Sequence, residues 1–215
     1  MEMTKKIKPS ETRVKVKDKK KAILEASLSL ITSHGFHGTS MKMIAEKAHI
    51  AAGTIYVYFA NKEEMIKALY QEIGMEINEI INAKNKHQLP FSVNFMSIWT
   101  AILDFYRMDP RKPEFITQFT YSPYIHDEAN VGDNGLLEPI KTIFEEAKNN
   151  GLVKNLPIPA LIALSHSPIT ALVRMNKSQH LHLTDVEIRE YAQACWDAIC
   201  IKNSDPATPK PGFKN

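Results

Sequence analysis

Residues 38–62, GTSMKMIAEKAHIAAGTIYVYFANK, constrain this chain more than any other stretch. A helix is expected over 40–48. Met41, Ile44, Ala45 and Ala48 fall on one face at helical spacing, and Thr39 or Ser40 can cap the start. His49-Ile50 breaks it. A second helix is expected over 51–59, burying Ile55 and Phe59 at i and i+4. Ala51, Ala52, Thr54, Tyr56 and Tyr58 are then free to face something else. Two short helices at a steep angle, with small Ala45 at their crossing, make a helix-turn-helix. Such a unit lays its second helix in the major groove of DNA.

The runs Thr39-Ser40-Met41-Lys42-Met43-Ile44-Ala45, Gly53-Thr54-Ile55-Tyr56-Val57-Tyr58-Phe59 and Asn61-Lys62-Glu63-Glu64 follow one another at fixed spacing. With Ile23-Leu24-Glu25-Ala26 and Gly35-Phe36 before them, they resemble the DNA-binding domain of the TetR family of bacterial regulators. The resemblance covers residues 17–77. The remainder shares only the family's general helical layout. The resemblance implies a dimeric, ligand-responsive repressor. Two positions depart from the family pattern. His49 stands where members commonly carry Gly at a left-handed turn, a conformation His tolerates at some cost. Ala51 and Ala52 stand where a capping residue and a polar residue are common. Alanine cannot cap, which costs up to about 1 kcal/mol. Ala52 can touch a thymine methyl but cannot hydrogen-bond a base edge.

Charge supports the same end of the molecule. The net charge is +3, but residues 1–62 carry 12 Lys/Arg against 5 Asp/Glu, and residues 63–215 carry 15 against 19. A basic N-terminal part on a mildly acidic remainder suits one end facing phosphate. No apolar run approaches the ~18 residues that span a bilayer, and no apolar signal core follows the basic N-terminus. A cytoplasmic protein with no membrane partner is therefore expected. Cys195 and Cys200 lack metal-type spacing and read as buried thiols of a reducing compartment, with an intersubunit or redox role as the alternative.

The rest of the chain reads as helices. Residues 1–16 read as a flexible basic arm, and 17–33 as a helix ended by His34-Gly35. A long helix over 62–84 would leave the first domain and enter the second. Further helices are expected over 92–107, 113–121, 136–149, 160–177 (interrupted by Pro168) and 184–202. Thr184 caps the last of these, and 204–215 form a Pro-rich mobile tail. The expected fold is all-α. A helix-turn-helix head over 17–77 precedes a larger helical effector-binding and dimerisation body over 78–203.

Three constellations are candidates for function. For DNA, the candidates are Thr39, Ser40, Lys42, Ala51, Ala52, Gly53, Thr54, Tyr56, Tyr58 and Lys62. Lys42 and Lys62 are taken as phosphate anchors and the tyrosines as phosphate, sugar or methyl contacts, while Ile55 and Phe59 are core. For an effector, the aromatic residues of the middle helices could line a cavity or simply fill a core. Trp99, Phe119 and Tyr121 are chosen, with Ile73 and Ile77 beside them and His126 or His166 as polar partners. For dimerisation, Leu161, Leu164, Leu172, Ile188, Tyr191, Cys195, Trp196 and Ile199 offer apolar faces. In the resembled family such helices pair between subunits; core packing within one chain is the alternative.

No cofactor, metal site or catalytic group is expected. His180 and His182 beside Asp185 read as an exposed loop pair, and no P-loop, dinucleotide glycine motif, nucleophile elbow or zinc helix occurs. The expected partners are a second copy, palindromic double-stranded DNA and a small apolar or amphipathic effector. The alternative is a DNA-binding scaffold whose partner is a protein.

Overall fold

The computed structural model describes residues 9–86, 88–122, 138–178 and 183–201. Nine helices occur among them, and no strand beyond one isolated antiparallel bridge between Val153 and Cys200. They fall into two compact units. The first holds 9–76 and 111–122, and the second holds 77–110 and 138–201.

The first unit contains α1 (Pro9–Gly38), α2 (Met41–Lys47), α3 (Ala52–Ile55), the start of α4 (Lys62–Lys84) and α6 (Arg111–Thr120). Helix α1 begins at Pro9, inside the stretch read as a flexible arm, and its regular winding is broken at Gly35, where the sequence placed the helix end. Gly35 takes φ 72°, a left-handed backbone that a Cβ would resist, so the helix kinks there and resumes to Gly38. Ile23, Leu28 and Ile31 of α1 are buried with Ile44 and Ala45 of α2. Ser27 is also fully buried, and its hydroxyl donates to the Ile23 carbonyl at 2.7 Å.

The sequence pattern put α6 in the body; it packs instead on α1 within the first unit. Phe115 is buried with its ring edge-on to Phe36 at 6.0 Å, and Phe119 stacks on Tyr70 at 4.2 Å. Arg111 pairs with Glu25 at 2.7 Å, and Lys112 with Glu76.

The second unit packs the end of α4, α5 (Phe91–Met108), α7 (Glu138–Asn149), α8 (Ile158–Lys177) and α9 (Asp185–Ile199). Helices α5, α8 and α9 all touch one another, and α7 lies on α8. Trp99 is completely buried at their centre, its indole N–H donating to the Ser165 carbonyl at 2.8 Å. Thr184 and Glu187 close a reciprocal capping box at the start of α9, and the two hydrogen bonds from Thr184 hold the Glu187 carboxyl below its usual range. Both cysteines are buried free thiols. Pro168 does not interrupt α8, which runs through it as one helix.

Two expectations need correction here. Leu161, Ile188, Cys195 and Ile199 are buried inside the single chain, so core packing claims them. Leu164 stays 45 % exposed, and Leu172, Tyr191 and Trp196 are half-buried. In addition, a helix long and apolar enough to cross a membrane does occur. The 19 residues Ile158–Asn176 have a mean hydropathy of 1.3 and are only 22 % buried. Small residues and two prolines had hidden its apolar character behind the absence of an unbroken Leu/Ile run.

Candidate DNA-reading surface and apolar pocket

The helix-turn-helix is built from its caps inward. Ser40 is the N-cap of α2, its hydroxyl accepting from the Met43 N–H at 3.2 Å. The chain leaves α2 through His49, whose φ of 54° is the left-handed turn the sequence implied. Ala51 is the N-cap of α3 and makes no side-chain cap bond. The second helix is shorter than the expected 51–59: only Ala52–Ile55 is α-helical. Beyond it, Val57 N–H bonds Thr54 C=O at 3.1 Å and Tyr58 N–H bonds Ile55 C=O at 3.0 Å, a tighter i→i+3 winding. Without a cap, and with branched and aromatic residues in succession, this segment has little local reason to stay α-helical.

Ile55 and Phe59 are nevertheless buried, as the spacing required. Lys20 of α1 sits 5.9 Å above the Phe59 ring, tying the turn to the first helix. Facing outward are Ala51, Ala52 and Gly53, with Tyr56 at 57 % exposure; Thr54 and Tyr58 are half-buried. Val57, at 80 % exposure, was not foreseen. Its signal was available: a β-branched apolar residue off the Ile55/Phe59 stripe must face outward. With Ala52 it makes the surface apolar between hydroxyls, suited to thymine methyls beside polar edges.

Two candidate DNA residues are held inside the fold instead. Thr39 is 2 % exposed, and its hydroxyl donates to the Gly35 carbonyl at 2.9 Å. It braces the kink in α1 and cannot reach DNA as placed. The Lys62 ammonium donates to the Phe36 and Thr39 carbonyls at 2.8 and 3.1 Å. A cation belongs at such a helix C-terminus, where carbonyls lack intrahelical partners. This corrects the reading of Lys62 as a free phosphate anchor; no local pattern reveals a bond spanning 26 residues. Lys42 does remain exposed, with only a loose 4.0 Å pair to Glu46. Lys62→Ala should therefore lower stability by about 2 kcal/mol, the scale of lost charge-assisted hydrogen bonds. Denaturant unfolding measures it, and an unchanged midpoint would restore the anchor role.

Asn61 starts α4, accepting from the Glu64 N–H at 2.8 Å while the Glu64 carboxylate accepts from the Ala60 N–H at 2.7 Å. The entry to α4 is thus fixed from both sides of Lys62.

The second unit holds an apolar pocket, partly open to solvent, with about 320 Å³ of empty space counted to its open mouth. Phe91, Phe95 and Ile98 of α5 line it with Ile140, Ile143 and Phe144 of α7. Ile81 of α4, Asn94 and His166 complete it. Of the residues chosen for an effector, only His166 is there. Ile73 and Phe119 are buried in the first unit and Trp99 in the core of the second. Ile77 is half-buried and Tyr121 is 86 % exposed, so neither they nor the three buried residues line the pocket. His126 lies outside the described residues, as do His180 and His182. The bulkiest aromatic residues fill the cores, whereas the pocket lies against Phe91 and Phe95, one helical turn apart. Among the described residues no group of acidic, His and Cys side chains could hold a metal.

Known proteins share this architecture. Residues 23–69 match the family described as bacterial regulatory proteins, tetR family, and residues 90–200 match the tetracyclin repressor-like C-terminal domain. The chain is 28 % identical over 148 residues to the HTH-type transcriptional regulator YhgD of Bacillus subtilis strain 168, covering 64 % of this chain and 73 % of that protein. Its fold is similar to that of a TetR family transcription regulator from Marinobacter aquaeolei VT8. The TM-score is 0.82 at 23 % identity, over 88 % of this chain and all of the other. It is also similar to the transcriptional regulator FadR from Bacillus subtilis in complex with stearoyl-CoA. That TM-score is 0.63 at 19 % identity, over 82 % of this chain and 95 % of the other. With the helix-turn-helix in place and both family regions matched, the chain belongs to the TetR family of DNA-binding bacterial transcriptional regulators.

Proposed function

We propose that this regulator is a cytoplasmic homodimeric repressor. It binds a palindromic duplex and leaves it when a small apolar or amphipathic effector enters the pocket of the second unit. The observation that carries the reading is the outward surface Ala52, Gly53, Tyr56 and Val57, held in place by buried Ile55 and Phe59. One such short element reads too few bases to act alone, so a second copy is needed for a full site. The apolar helix α8 supports that pairing. Leu164, Ala171 and Met175 recur at i, i+7 and i+11 and are exposed, a face suited to a second copy. A partner helix is a better account of this apolar face than a bilayer in a DNA-binding regulator. The effector class follows from the pocket lining. Seven of its nine residues are Ile or Phe.

The test is a titration of the protein with a cognate duplex across salt concentrations. Binding should saturate at two chains per duplex, and affinity should fall steeply with salt. Tyr56→Ala should weaken binding about tenfold with the melting temperature unchanged. Wild-type affinity in this variant, or no salt slope on any cognate duplex, would place the reading surface elsewhere.

A further inference from the structure

The polar chemistry of the pocket is sparse. Its two polar side chains are Asn94 and His166. Asn94 is tied to the backbone of Lys86: its carbonyl oxygen accepts from the Lys86 N–H at 3.0 Å, and one of its two amide hydrogens is donated to the Lys86 carbonyl at 2.8 Å. The His166 ring stands edge-to-face against Phe95 at 6.3 Å and Phe144 at 6.0 Å, both lining residues. Its Nδ1 lies 2.7 Å from Ser165 Oγ. Ser165 is completely buried, and its hydroxyl donates to the Leu161 carbonyl at 2.6 Å. A hydroxyl has one proton. With that proton on the Leu161 carbonyl, Ser165 Oγ can only accept from the imidazole. In that arrangement Nδ1 carries the ring proton and Nε2 is left as an acceptor. Among the described residues Nε2 has no partner.

We propose that the effector is a neutral, mostly apolar molecule bearing one hydrogen-bond donor, an alcohol or an N–H, which it gives to His166 Nε2. Ser165 is the positioning residue that sets this tautomer. The inference rests on the reading of this pocket as the effector site. A carboxylate is disfavoured, because it would meet a lone pair. The ring could answer it only by taking up a proton, which burial opposes; the His166 pKa is pushed down to about 4. Apolar ligands without a donor would cover this acceptor and leave it unpaired, a cost comparable with the bond itself.

The probes are n-octanol, its isomer heptyl methyl ether (an acceptor only) and ionised octanoate at pH 8, each titrated into the whole protein by calorimetry. Octanol should bind about tenfold more tightly than the ether, the scale of one hydrogen bond, and octanoate should bind more weakly than octanol. His166→Phe and Ser165→Ala should each shrink the octanol-to-ether ratio toward one. Ring ¹⁵N spectra of the wild type give a check that needs no variant. The free protein should show Nε2 unprotonated, with its resonance moving when octanol is added. A protonated Nε2, or octanoate binding more tightly than octanol, would overturn the donor inference while leaving the pocket as the effector site. Failure of all three probes to bind would overturn both.

Discussion

Phe115→Ala should lower stability by about 3–5 kcal/mol, the usual cost of emptying a buried aromatic site. Phe115 is completely buried, edge-on to Phe36 at 6.0 Å and stacked on Phe119 at 6.1 Å. The substitution therefore opens a cavity between α6 and α1, and the ion pair of Arg111 with Glu25 cannot fill it. Because α1 also supports α2, operator affinity should fall along with stability. Denaturant unfolding followed by circular dichroism measures the first effect. A loss below about 1 kcal/mol would mean that α6 is not part of the DNA-reading unit, because a surface helix tolerates such a change.

That helix also marks where the sequence stopped being legible. Periodic stripes are local, so the ranges of α4 and α9 follow from Ile66, Leu69 and Ile73 and from the Thr184 cap. The turn at His49 was legible because the position has one backbone solution, whatever residue occupies it. Which unit a helix joins is decided by contacts far apart in sequence. Nothing near Arg111 shows that its partner is Glu25, and nothing near Lys62 shows that its ammonium meets Phe36 and Thr39 carbonyls. Burial has the same limit. Leu161 and Ile188 lie on apolar faces that could meet another chain or their own, and the stripe alone cannot choose. At the pocket the problem is subtler. Filling a core and lining a cavity require the same residue types, so Trp99 and Phe119 looked as suitable as Phe95 and Phe144. The outward face of the helix-turn-helix was more legible, because its exposed residues are whatever the Ile55/Phe59 stripe leaves over.

Effector binding should weaken operator affinity about 100-fold, a coupling of about 2.7 kcal/mol and within the usual allosteric range. Helix α4 is the element able to carry it. Its start is pinned through Lys62 to the carbonyls of Phe36 and Thr39, and its Ile66, Leu69 and Ile73 are buried. Nineteen residues after Lys62 in the same helix, Ile81 lines the pocket. An effector that enters this pocket presses on its lining, and Ile81 is part of that lining. A stiff helix pushed at one end moves at the other, and two recognition elements on one duplex tolerate little change in spacing. Binding alone is not enough, since a ligand shifts only the equilibrium whose two states it distinguishes. Reciprocity then makes the idea measurable from the other side: saturating operator should weaken effector binding by the same 100-fold. Ile81→Ala should reduce the coupling more than it reduces effector affinity, because the side chain removed is the one that transmits the push. Calorimetry of the effector with and without operator decides the matter. Equal affinities in the two titrations would refute the switch and favour a DNA-binding scaffold whose partner is another protein.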